Sequence, residues 1–163
     1  MQLLLLRHAN ADSPAPSDDL RALTPKGRAQ ARRAALFCRA HGLLPEIFLS
    51  SPILRARQTA EEFAHTAEIT HAEIASFLAC GMDPETALNE LCAYQSFPSV
   101  LLVGHEPDIS SLAAHLLGLP LAQNLHVRKA TLLVLEVEQL RLGCASLELL
   151  IPCSFMPDTT SNE

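Results

Sequence analysis

Four consecutive leucines, Leu3, Leu4, Leu5 and Leu6, give way at once to Arg7-His8. A short apolar run that stops abruptly reads as a β-strand buried on both faces and ending at a polar edge. Ile47-Phe48-Leu49, stopping at Ser50-Ser51-Pro52, repeats the pattern, and residues 99–103, stopping at Gly104-His105, show it most clearly. Between these runs the apolar spacing becomes helical. Thr24-Pro25 supplies an N-cap and a first-turn proline, after which Gly27, Ala31, Ala34, Ala35 and Cys38 share one face as far as Gly42. Small residues there let the helix lie close to a sheet. Ala56, Thr59, Ala60, Phe63 and Ala64 mark a second helix, with Arg55 in its first turn. Asp83-Pro84-Glu85 opens a third, carrying Ala87, Leu88, Leu91 and Cys92. A fourth begins near Pro107, buries Ile109, Leu112, Ala113, Leu116 and Leu117, and ends at Gly118. Residues 131–137 and 145–151 are two further strand candidates, joined as a hairpin through a turn containing Gly143. Residues 10–23, rich in Pro, Ser and Asp, read as a surface loop, residues 67–82 show no clean period, and the tail reads as frayed.

Strands alternating with helices predict an α/β three-layer sandwich. Its central sheet is mostly parallel, with helices on both faces and an antiparallel edge strand. A chain of 163 residues with 48% apolar and 18% charged residues suits one self-sufficient domain, here residues 1–152, followed by a frayed tail, 153–163. A net charge of −6 provides no positive field for nucleic acid, and one Tyr, six Phe and no Trp leave little surface for stacking bases. The first apolar run lacks a basic leader and the length of a membrane span, so the expected location is cytoplasmic, away from any membrane. The five cysteines have neither close pairing nor zinc-ligand spacing and are expected to be reduced core thiols.

Three strands thus end in cationic or potentially cationic side chains: Arg7 and His8, Arg55, and His105. Ligands of open α/β sheets bind outside the carboxyl ends of the strands, so these four are expected to converge. Two guanidiniums and two imidazoles with no carboxylate among them repel one another unless an anion joins them, and phosphate fits.

Four blocks carry a resemblance to a known family: Leu6-Arg7-His8-Ala9, Leu23-Thr24-Pro25-Lys26-Gly27, residues 50–60 around Arg55, and Val103-Gly104-His105-Glu106-Pro107. They resemble the histidine phosphatase superfamily (phosphoglycerate mutase-like) and, more narrowly, its short SixA-type phosphohistidine phosphatases. The similarity runs over residues 1–137 and includes Asp18 and Arg21. It implies a metal-independent, cofactor-free phosphatase in which His8 accepts the phosphoryl group while Arg7, Arg55 and His105 bind its oxygens. Phosphoryl transfer asks little of a protein beyond in-line positioning and charge around the equatorial oxygens, which suits these roles.

Two departures bear on mechanism. Ala9 replaces the family's commoner Gly. The general acid has only weak candidates: Asp83, which also reads as a helix N-cap, and Glu106. A missing acid disfavours esters but is tolerated by a phosphoramidate, whose leaving imidazole is a far weaker base than an alkoxide. The expected substrate is therefore phosphohistidine on a partner protein, in signal transduction. A small phosphomonoester, or phosphate binding without turnover, is the alternative. Arg21 either reaches the pocket rim or binds Asp18 or Asp19 and pins the loop. The remaining histidines read as surface or packing residues. Arg28, Arg32, Arg33 and Arg39 read as a solvated helix face or a dock for an acidic partner. Oligomeric state is left open.

Overall fold

The computed structural model describes residues 1–12 and 17–157. Strand β1 (Gln2–Arg7) lies inside a six-stranded sheet that also contains β2 (Ile47–Ser50), β3 (Glu73–Ile74), β4 (Ser99–Gly104), β5 (Leu132–Val137) and β6 (Ala145–Ile151), in the order β3-β2-β4-β1-β5-β6. β1, β2, β3 and β4 run parallel, and the antiparallel edge is the hairpin, β5 running against β1 and β6 against β5. Register decides what meets at the edge. Arg7 pairs with Gly104 and Ser50 with Val103, so the residues leaving β1, β2 and β4 emerge side by side. The reversed β5 begins there too, with Leu132 opposite Leu6.

Helices α1 (Pro25–Ala40) and α2 (Leu54–Ala67) cover one face, where Leu4 and Leu6 pack with Ala31, Ala34, Ala60 and Phe63. Helices α3 (Pro84–Leu91) and α4 (Asp108–Leu117) cover the other, where Leu3 and Leu5 pack with Leu88, Leu91, Leu112 and Leu116. All four β1 leucines have no exposed surface, each contributing about 1.5–3 kcal/mol of burial. The buried face of α1 is Gly27, Ala31, Ala34, Ala35 and Cys38, as the small-residue stripe predicts. Gly27 is indispensable on steric grounds, since a Cβ there would lie 2.0 Å from the Asn10 carbonyl oxygen.

Some expectations require correction. Residues 67–82 contain β3, two exposed residues paired only to β2, and a short 3₁₀ turn, Ser76–Leu78. The tail is packed as far as Met156, because Cys153 and Met156 are buried in the cluster that includes α1. Only Cys38 and Cys153 are core thiols; Cys80 and Cys92 are exposed and Cys144 is half-buried. Leu117 is only partly covered. The arginines of α1 do form the expected solvated face, the Arg28, Arg32 and Arg39 side chains being 41%, 55% and 48% exposed, and within it Arg28 and Arg32 pair with Glu62 of α2, Arg39 pairs with Glu68, and Arg33 donates to the Cys153 carbonyl. Residues 13–16 of the expected surface loop and residues 158–163 of the tail lie outside the described residues. No helix among the described residues is long and apolar enough to cross a membrane.

Candidate active site

His8 leaves β1 with its backbone N–H bonded to the Gly104 carbonyl, so the two histidine-bearing strand ends are joined by main chain. Its ring is buried, and Nδ1–H donates to the Ala9 carbonyl at 2.8 Å. A carbonyl can only accept, which places the proton on Nδ1 and the lone pair on Nε2. Arg55 Nε donates to that Nε2 at 3.3 Å. Burial above all, together with the charges of His105, Arg55 and Arg7, pushes the His8 pKa down to about 3 against the upward pull of the Ala9 bond.

Arg55 is placed by the first turn of α2, and α2 is tied back to β1 through Thr59. Its hydroxyl donates to the Arg55 carbonyl at 2.7 Å and accepts from the Ala9 N–H at 3.0 Å. The Arg55 guanidinium also donates to the Asp18 backbone carbonyl (2.7 Å), the Asp18 carboxylate (2.9 Å) and Cys80 Sγ (3.4 Å). Arg21 donates to the Asp12 carbonyl and to Asp18, pinning the loop, the second of its two expected roles. Asp18 thereby joins two arginines, and Arg21 first, then Arg55, holds its carboxyl below the usual range.

His105 leaves β4 with its ring centroid 5.3 Å from that of His8. Its Nε2 is 2.7 Å from Ser51 Oγ, which also accepts the Ile53 N–H. Burial first, then Arg55 and Arg7, lower its pKa to about 4, opposed by Asp18 and Asp19. Arg7 donates from Nη1 to the Val127 carbonyl at 2.8 Å. Its pKa is lowered chiefly by burial, with Glu106 opposing and Arg55 reinforcing the shift. Four buried side-chain polar atoms among the described residues have no hydrogen-bond partner. Three are Arg7 Nε, His105 Nδ1 and Glu106 Oε2, and the fourth is on neighbouring Thr131.

The two carboxyl candidates separate. Asp83 caps α3, accepting the Thr86 N–H and hydroxyl at 2.9 Å each; these bonds hold its pKa down, and among the described residues it bonds none of the four strand-end side chains. Glu106 stays with the group: its charge acts on Arg7, and Oε1 accepts from Ser110 Oγ at 2.6 Å. Ser51, Thr59 and Cys80 belong to the surroundings that residue-type reasoning did not assign to the site, whereas Asp18 is the partner expected for Arg21. Ser51 and Thr59 left a faint signal as polar residues within otherwise apolar patterns. No three His, Cys, Asp or Glu side chains among the described residues group as a metal site.

A sheet edge with paired imidazoles and guanidiniums defines a class, and comparison with known proteins names it. Residues 3–78 match the histidine phosphatase superfamily (branch 1). An uncharacterized protein of Picosynechococcus sp. is 31% identical over 83% of this chain and 85% of its own. The phosphohistidine phosphatase SixA of Escherichia coli is 33% identical over 71% of this chain and 74% of its own. The solved structure of the protein histidine phosphatase SixA complexed with tungstate superposes with a TM-score of 0.85 at 26% identity, covering 94% of this chain and 98% of that one. The chain belongs to the histidine phosphatase superfamily, as a SixA-type phosphatase.

Proposed function

We propose that this phosphatase removes phosphoryl groups from phosphohistidine on a partner protein, through a covalent intermediate on His8. The observation that carries the reading is the state of His8, a neutral imidazole whose Nε2 lone pair lies at the centre of the cationic group. In the first step Nε2 forms a bond to phosphorus while the bond from phosphorus to the leaving imidazole nitrogen breaks, that nitrogen taking a proton from solvent. In the second step, water attacks phosphorus, the bond to His8 Nε2 breaks, and inorganic phosphate leaves. Arg55 binds the equatorial oxygens, exchanging part of its contact with Asp18 for them. Arg7 Nε and His105 Nδ1 are orphaned buried groups of the kind a ligand satisfies. With the Ser51 hydroxyl donating into Nε2 of His105, the ring's proton sits on Nδ1 and faces a phosphoryl oxygen. The tetrahedral dianion tungstate, bound by the related SixA, supports an anion of this shape.

The carboxyl groups support phosphohistidine over esters. Asp83 is engaged as a cap, and one oxygen of Glu106 is engaged by Ser110. One observation favours the second reading, a small phosphomonoester, because Glu106 Oε2 is buried, unbonded and close enough for its charge to act on Arg7. Incubation with a phosphohistidine peptide and with phosphate esters separates the two. Phosphohistidine turnover that persists in Glu106→Gln supports the first reading; ester turnover that outruns it in the native protein and collapses in Glu106→Gln supports the second. In either case an alkaline or detergent quench, which spares the acid-labile P–N bond, should trap phosphorylated His8. Full turnover in His8→Ala rules out the covalent route.

A further inference from the structure

The loop entering β5 is stitched to the site by backbone. The Val127 carbonyl accepts from Arg7 Nη1, the Thr131 carbonyl accepts the Arg7 N–H at 3.2 Å, and the Ala130 N–H donates to the carbonyls of Arg7 (3.2 Å) and His8 (3.3 Å). Ala130 is fully buried and takes φ +55°, a left-handed conformation that costs a non-glycine residue about 1 kcal/mol or more. The path of the loop is thus fixed against the strand end that carries His8.

Lys129, half-buried, immediately precedes Ala130. It has no hydrogen bond or ion pair among the described residues. Besides burial, which lowers its pKa most, the strongest influences on it are the charges of Arg21, Arg7, Arg55 and Lys26, all repulsive. Lys129 therefore occupies a position that the protein's own electrostatics disfavour. Arg21 and Arg55 share Asp18, and a phosphoryl dianion would answer Arg7 and Arg55. Nothing in that account offsets Lys129.

We propose that Lys129 forms a second anion subsite on the rim of the phosphoryl pocket, so that the preferred substrate carries another negative group, a carboxylate or second phosphate, close to the phosphoryl group. This deepens the phosphatase reading and rests on it for the identity of the first subsite. The second anion has two sources: an acidic residue beside the phosphohistidine of a protein, or a carboxylate or phosphate of a small molecule.

Two non-hydrolysable probes test the subsite without turnover. Calorimetric titration of the intact protein with methylphosphonate and with phosphonoacetate, which adds a carboxylate, should show phosphonoacetate bound about tenfold tighter, as expected for one additional charge-assisted contact. The preference should shrink several-fold in Lys129→Gln and survive in Lys129→Arg, with methylphosphonate affinity nearly unchanged in both. Equal affinity for the probes in the native protein, or an equal preference in Lys129→Gln, overturns the subsite. Phosphohistidine peptides with Glu or Gln beside the phosphorylated residue then locate the source. A kcat/KM advantage for Glu that Lys129→Gln removes assigns the anion to a protein substrate; no such advantage, with the phosphonoacetate preference intact, assigns it to a small molecule. Selective phosphonate binding without turnover of any peptide or ester would sink the phosphatase reading and leave the subsite standing.

Discussion

His8 and His105 are both held neutral by burial and by neighbouring cations, and this has a signed consequence for stability. The unfolded chain binds protons at these rings below about pH 6.5, whereas the folded chain resists to about 3 and about 4 respectively. Unfolded protein therefore holds more protons between those limits, and stability falls as pH drops through that window. Each ring removes about 1.4 kcal/mol per pH unit there. Urea midpoints at pH 7, 6 and 5 should decline accordingly, and NMR should show neither ring titrating between pH 8 and 5. Replacing both histidines by Gln should flatten the decline. Arg55→Ala should lower turnover about a hundredfold, on the scale of losing one preorganised donor to a transition-state oxygen; kcat/KM with a phosphohistidine peptide checks it. Ala9 needs neither exception nor rescue: its methyl is buried in the core, and it is not among the positive-φ residues.

Contacts between elements determine how the pocket is aligned. Gly27 brings α1 against the turn after β1, where Thr24 caps the helix and also donates to Asn10. Gly27→Ala would drive a methyl into backbone, and should destabilise the protein by about 3 kcal/mol or more, because the obstructing atom cannot rotate away. A denaturation midpoint measures it. In contrast, Glu62→Gln, which weakens pairs to two arginines that are themselves 41% and 55% exposed, should cost about 1 kcal/mol by the same measurement. The faces of α1 and α2 were legible in the sequence because small and apolar residues recur there every three or four positions. β3 was not, since two exposed residues have no period and are held by an edge pairing that only the folded sheet creates. Arg7, His8 and His105 could be read for a related reason, each following an apolar run that stops sharply, while Arg55 was legible from the first turn of the helix that follows β2. The loop entering β5 offered no such cue. Its contribution is made largely by the carbonyls of Val127 and Thr131, which leave no mark in residue type.

The whole molecule couples anion binding to folding, because the site's charges repel one another without an anion and are drawn together around one. Inorganic phosphate or tungstate at a hundred times its dissociation constant should stabilise the native protein by about 2.7 kcal/mol. That gain, read as a shift in thermal midpoint, should be largely absent in Arg55→Ala. The placement of β1 between β4 and β5 has a further consequence for the order of events during synthesis. The strands that flank His8 lie roughly a hundred and a hundred and thirty positions downstream of β1. A chain emerging from the ribosome carries His8 unframed until those strands are made, and closure of the centre must await distant pairings of the kind that form slowly.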